Sequence, residues 1–405
     1  MRKTIRKQFF VLLLSIFVST IGVGIMNPLV PQLFSGARAL FPHAGYGTYG
    51  LLVAVFPFAA FCSSFVLAGA SDHFGRKRML LLSLAGTAAG YVLMIVALIT
   101  KDLLLVFVAR AVDGITGGNI GIVQAAVADI TPREERSSKL GMVGGAFGLG
   151  LIVGPVLGGT LATSLSLATP FALAASVAAI NALLVWHYLP ELPLRVVSDT
   201  AIFREIPSRL HRYFTTPHLR SILSVSFLYN GAMTCFNAFF AVFLVERFLF
   251  NAEQVGLFYG YIGVIYAANQ FLVVPWIDKH LPPKVILTIG VTALACIICM
   301  YALTFYVPLL FCMAILFTVA NGTNQANLVG LLSTTASTEE QGKVLGLNSS
   351  LISLAQTILP PLVGFLAATL AAGLPMFISA LFMACAALVL TTYVFAPRTA
   401  QRQIV

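Results

Sequence analysis

Apolar runs of about twenty residues recur along the whole chain, and this regularity constrains the fold more than any motif does. The hydrocarbon of a bilayer is about 30 Å thick, and a helix needs roughly 20 residues to cross it. Inside it every backbone N–H and C=O must be bonded within the protein, so each run is predicted to be a transmembrane helix. Spans are expected near 8–33, 48–70, 78–99, 103–127, 138–162, 167–189, 219–246, 254–277, 284–303, 306–331, 343–370 and 373–395. The alternating ten-residue strands of an outer-membrane barrel are absent. Composition agrees: 59% of the residues are hydrophobic and 9% charged, against about 25% charged in a soluble domain. The expected fold class is an all-α integral membrane protein with twelve transmembrane helices in two pseudo-symmetric six-helix bundles.

A net charge of +10 invites a nucleic-acid reading, but its distribution argues for a membrane. With the N-terminus in the cytoplasm, twenty of the 24 lysines and arginines lie on that side. The opposite loops hold only Arg38, Lys101 and Arg247, and Arg110 lies within a span. This asymmetry predicts a multi-pass protein of the cytoplasmic (inner) membrane with both termini in the cytoplasm. The bilayer is then its partner, and no nucleic acid is. Met1-Arg-Lys-Thr-Ile-Arg-Lys followed by apolar residues resembles a signal peptide, but the run is too long and no Ala-x-Ala site follows. The six cysteines sit in apolar segments, and Cys296-x-x-Cys299 has no second pair or histidine to complete a zinc site. No disulfide framework, metal or cofactor is expected.

Residues 190–218 form the one long polar stretch, with Arg195, Arg204, Arg209 and Arg212 among Pro190, Pro193, Pro207 and Pro217. They divide the chain into a bundle over 1–189, a cytoplasmic linker over 190–218 and a second bundle over 219–405. The halves echo one another at an offset of about 205 residues. Glu134-Glu135-Arg136 before Leu140-Gly141 matches Glu339-Glu340-Gln341 before Leu345-Gly346. Pro155 and Gly159 match Pro360 and Gly364. Repeats of this kind place a solute site between the halves near mid-membrane.

Three motifs carry chemistry. Ser71-Asp72-His73-Phe74-Gly75-Arg76-Lys77-Arg78 falls between spans 2 and 3. Asp72 can accept hydrogen bonds from a helix N-terminus and pair with cations, which makes a gate of the turn. A plain positive-inside anchor accounts for the basic cluster but leaves Asp72 and Gly75 unexplained. Span 5 carries Gly141, Gly150, Gly154, Pro155, Gly158 and Gly159. Gly150, Gly154 and Gly158 recur every four residues and form a flat stripe for close helix approach, and Pro155 removes a backbone bond. No strand precedes these glycines and no Gly-Lys-Ser/Thr exists, so a Rossmann turn or Walker loop is excluded and direct ATP drive with it. Arg110 and Asp113 in span 4 are intramembrane charges, each costing roughly 2.5–3.5 kcal/mol at mid-bilayer if unpaired. Three residues apart, they share a helix face. Two roles stay open: a carboxylate that loads and releases a proton, or a permanent partner that neutralises Arg110.

These motifs resemble those of the major facilitator superfamily, and within it the twelve-span drug/proton antiporters related to tetracycline-efflux pumps. The likeness covers nearly the whole chain and is densest between spans 2 and 5. It implies an alternating-access transporter with Asp72, Gly75, Arg76 and Lys77 as cytoplasmic gate and the span 5 glycines as antiporter motif. Ala68 and His73 depart from the usual loop signature. Ser19 stands where the tetracycline pumps carry an acid, which shifts proton coupling to Asp113 with Arg110 and makes tetracycline a doubtful substrate.

Polar residues at helical spacing mark a candidate substrate cavity: Asn27 in span 1, Gln124 in span 4, Asn230 and Asn237 in span 7, Tyr259, Tyr266 and Gln270 in span 8, and Asn321, Asn324 and Gln325 in span 10. Each also fits a role as glue between helices. An amide and aromatic lining suits an amphipathic organic solute better than a bare ion, and no charge ring or filter sequence of a channel is present. No paired acids or histidine cluster in the spans point to an enzyme. The expected function is proton-coupled efflux of a small amphipathic organic compound by a monomer, with protons as coupling ion. Export or uptake of a siderophore or other metabolite shares every motif.

Overall fold

The computed structural model describes residues 2–35, 39–117, 119–132, 135–191, 217–335, 341–369 and 373–394. Among them the chain is helical throughout, with thirteen helices and no strand. They are α1 (Arg2–Phe34), α2 (Gly45–Phe74), α3 (Arg76–Thr100), α4 (Leu103–Thr116), α5 (Asn119–Ile130), α6 (Arg136–Ser164) and α7 (Thr169–Tyr188), then α8 (Pro217–Phe248), α9 (Ala252–His280), α10 (Pro283–Leu303), α11 (Val307–Thr335), α12 (Gln341–Thr369) and α13 (Leu374–Val394). Twelve spans are long and apolar enough to cross a bilayer, α4 and α5 together making one of them. The expected span over 103–127 falls within Leu103–Ile130. Gly117 closes α4, its N–H bonded to the Gly114 carbonyl at 3.1 Å, and α5 begins at Asn119.

Local chemistry sets the helix ends. Asp102 caps α4, its carboxylate accepting from the N–H groups of Leu104 (2.9 Å) and Leu105 (3.3 Å). Asn251 and Gln254 cap α9 reciprocally, each side-chain oxygen accepting the other's backbone N–H, at 2.9 and 3.0 Å. Between α2 and α3 the chain turns on Gly75 alone, whose φ of 96° a side chain would oppose.

The chain forms two compact units: Met1–Asp199 with Ala241–Val264, and Thr200–Phe240 with Ile265–Val405. The first contains the first six spans together with the end of α8 and the start of α9. In it α6 packs along α1 backbone to backbone. A Cβ on Gly154 would meet the Ile21 carbonyl oxygen at 2.5 Å and the Gly24 Cα at 2.9 Å, and one on Gly158 would meet the Ile25 Cα at 3.0 Å. Numbers rise together along both helices, so α1 and α6 run parallel. On another face α6 meets α9, with Gly159 at the Ala252 carbonyl, Gly256 at the Pro155 carbonyl and Gly260 at the Val156 side chain; these helices run antiparallel. Buried polar pairs add direction to this packing: the Asn181 Nδ2 of α7 donates to the Ser15 Oγ of α1 at 3.0 Å. In the second unit the Ser379 Oγ of α13 donates to the Ala232 carbonyl of α8 at 2.7 Å. Each such bond contributes about 0.6 kcal/mol on average in a membrane interior.

Candidate functional site

In the first unit α4 brings its two charges into the seam formed with α2 and α3. The Arg110 Nη1 and Asp113 Oδ2 lie 3.5 Å apart as an i,i+3 pair, and both residues are buried. Each of these two atoms has no hydrogen-bond partner, so their attraction is ionic only. Around them the enclosure is tight. Phe56 of α2 receives the guanidinium over its ring, at 4.7 Å from Arg110 Cζ to the centroid. Gly114 allows α4 to approach α2, a Cβ there lying 2.7 Å from the Phe56 carbonyl oxygen. On α3, Gly90 leaves room for Asp113, with 3.1 Å between its would-be Cβ and the Asp113 Cβ. The buried Thr87 and Tyr91 stand beside the carboxylate, and the Tyr91 hydroxyl reaches α1 at Gly22, where a Cβ would overlap it. Asp113 thus faces α3 within its own unit. One turn on, the Ser83 Oγ donates to the Thr116 carbonyl at the end of α4.

At the end of the seam nearer Gly75, Arg76 meets an acid the motif did not indicate: its Nε lies 3.3 Å from the Asp129 Oδ2 near the end of α5. The Arg136 Nη2 donates to the Ala128 carbonyl at 2.8 Å, and the exposed Arg78 pairs with Glu191 at 3.2 Å. Lys77 is partly buried. Asp72 lies in the last turn of α2, and its side chain is outside the described residues.

The residues singled out as a substrate lining divide between the units. Asn27, Gln124 and Tyr259 belong to the first; Asn230, Asn237, Tyr266, Gln270, Asn321, Asn324 and Gln325 belong to the second. In the second unit a cluster does form, around a residue not singled out. The buried Tyr229 Oη donates to the Asn321 Oδ1 at 2.6 Å, and Tyr266 and Gln270 flank Gly322 on the next helix face. The Asn230 Nδ2 donates to the Ser226 carbonyl at 2.8 Å, and the Ser226 Oγ donates to the Asn348 Oδ1 of α12 at 2.5 Å. Asn324 turns elsewhere, fully buried against Gly290 of α10. Asn237, Gln124 and Gln325 are exposed, and Asn27 and Tyr259 are partly buried. Among the span 5 glycines, Gly150, Gly154, Gly158 and Gly159 are closely packed, Pro155 touches Gly24, and Gly141 faces open space. Among the described residues, no three histidine, cysteine or acidic side chains gather as a metal site would require.

The family model that matches the sequence is that of the Major Facilitator Superfamily, aligned over residues 12–355 and 222–404. The chain belongs to the Major Facilitator Superfamily. Within this superfamily it is 28% identical over 369 residues to the class H tetracycline resistance protein of Pasteurella multocida, covering 89% of each chain. It is 30% identical over 359 residues to the class E protein of Escherichia coli, covering 87% of this chain and 86% of that one. Two solved superfamily structures share the fold. The human organic anion transporter MFSD10 superposes with a TM-score of 0.69 at 23% identity, over 95% of this chain and 99% of that one. A D-xylose-proton symporter superposes with a TM-score of 0.77 at 16% identity, over 96% and 98%. The protein is therefore a multi-pass membrane transporter related to the tetracycline efflux pumps.

Proposed function

We propose that this transporter exports a small amphipathic organic compound in exchange for protons, by alternating access, with Asp113 and Arg110 as the coupling pair. The observation that carries the reading is the buried pair itself, whose facing nitrogen and oxygen are joined by charge alone. A carboxylate so held is stable ionised while Arg110 faces it. It takes up a proton once the pair separates in a dry seam, because burial then penalises its charge. Alternation between these states is what coupling requires. The class H and class E tetracycline resistance proteins give the efflux direction its support. Ser19 in span 1 leaves Asp113 as the carboxylate available deep in the first six spans and makes tetracycline a poor candidate for the solute.

The same reading takes the chain as a monomer in the cytoplasmic membrane, both termini in the cytoplasm, with bundles over 1–189 and 219–405. Gly75, Arg76 and Lys77 with Asp72 form its cytoplasmic gate, and the Arg76–Asp129 pair is the contact that opens and closes. The Tyr229, Tyr266, Gln270 and Asn321 cluster lines the solute path of the second bundle, where an amide and aromatic surface suits an amphipathic molecule.

Proteoliposomes with an imposed pH gradient and a panel of amphipathic solutes test this. Solute movement is expected to follow the gradient, and Asp113→Asn is expected to abolish that dependence in a folded protein. Movement through Asp113→Asn as steeply pH-dependent as in the parent removes Asp113 from the mechanism. A solute that drives proton movement in the same direction assigns the chain to uptake of a metabolite.

A further inference from the structure

Glu246, near the end of α8, has no part in the reading above, yet two helices of the first six spans reach for it. The Ser35 Oγ, just past α1, donates to the Glu246 Oε1 at 2.9 Å. The Tyr46 Oη, in the first turn of α2, donates to the Glu246 Oε2. Each carboxylate oxygen thus has its own donor from a different element, a charge-assisted arrangement. Close by, the Gln32 Nε2 of α1 donates to the Phe250 carbonyl at 3.3 Å. The three contacts converge on the turn that joins α8 to α9.

That turn is stiff. Leu249 holds a φ of 57°, costly for a branched side chain, and the Phe250 N–H bonds back to the Leu244 carbonyl at 3.3 Å. Asn251 and Gln254 then start α9 with their reciprocal cap. Beyond it, α9 lies on α6 through close glycine contacts at Gly159, Gly256 and Gly260, which attract by dispersion. Among the described contacts, the hydrogen bonds to Glu246 and Phe250 tie this turn to the ends of α1 and α2, and they must break for it to leave.

We propose that Ser35, Tyr46 and Glu246 form a clasp that holds the α8–α9 turn against the ends of α1 and α2, and that releasing it opens the α6–α9 seam. The clasp is a conformational device in the transport cycle.

The test follows the seam directly. In a background with the six native cysteines replaced by alanine, Val156→Cys places a thiol against Gly260. Its reaction with a maleimide in solubilised full-length protein reports seam opening. Tyr46→Phe and Glu246→Ala are each expected to speed labelling by about threefold to tenfold, the loss of one or two charge-assisted bonds at a partly solvated site. Combining them is expected to be no faster than Glu246→Ala alone, because Tyr46 acts through that carboxylate. The exposed Ser166→Cys, which should react at one rate throughout, normalises for reagent and folding. Unchanged Val156→Cys labelling in Tyr46→Phe, which removes a single hydroxyl, overturns the clasp, and so does additivity in the double variant. This readout stands whether or not the transport assay finds proton coupling.

Discussion

Arg110 and Asp113 are buried where no other charge is described beside them, so each is the other's main reason for being tolerated. Removing one partner leaves a buried charge with nothing to offset it, and removing both leaves two neutral side chains in the same space. Arg110→Gln is therefore expected to lower stability by about 2 kcal/mol, while Arg110→Gln with Asp113→Asn recovers at least half of that loss. Thermal unfolding of the four purified proteins in one detergent measures this, and strictly additive losses would show that the two charges do not interact. The pair was legible in the sequence because charges inside an apolar run stand out. Its surroundings were not, since Phe56, Thr87, Gly90 and Tyr91 come from other helices and none is unusual where it stands. Asn324 shows the same limit. Spacing on α11 identified it as polar but could not tell whether it met a solute path or Gly290. Tyr229 escaped notice because a tyrosine in an aromatic-rich span looks like packing until Asn321 is seen to accept its hydroxyl proton.

Hydropathy located the spans well, because crossing a bilayer fixes the length of an apolar run irrespective of neighbours. It could not see that α4 ends at Gly117, since ending a helix changes backbone geometry and not apolar length. Nor could it assign Asp129 to Arg76, which lies 53 residues earlier. In α6 the glycines divide by what faces them. Gly154 lies against the backbone of α1, and atoms of a neighbouring main chain cannot rotate aside as a side chain can. Gly144 faces open space. Gly154→Ala is expected to cost about 2 kcal/mol or more through overpacking. Gly144→Ala should be neutral or stabilise by up to about 1 kcal/mol through helix propensity. Unfolding midpoints of the two variants decide the matter. Equal effects would mean that α6 does not owe its glycines to close packing on α1.

For the molecule as a whole, orientation is the property on which the gate and the clasp both depend, and the charge asymmetry of the loops predicts it. Twenty cationic residues in one set of loops against three in the other favour one insertion strongly. The parallel run of α1 with α6 and the antiparallel run of α6 with α9 are the directions that spans 1, 5 and 8 must have in a chain that crosses at every span. Ser166, between α6 and α7, and Leu281, between α9 and α10, are both exposed and must then lie on opposite faces. With single cysteines at these positions in intact cells, a membrane-impermeant maleimide is expected to label Ser166→Cys at once and Leu281→Cys only after permeabilisation. The reverse pattern would put the Arg76–Asp129 contact outside the cell and the Glu246 clasp inside. A gate built from the basic cluster would then face the wrong compartment for efflux, although each contact would keep its geometry. Labelling of both cysteines without permeabilisation would mean an even number of crossings between them, which α7, α8 and α9 allow only if one of the three fails to span.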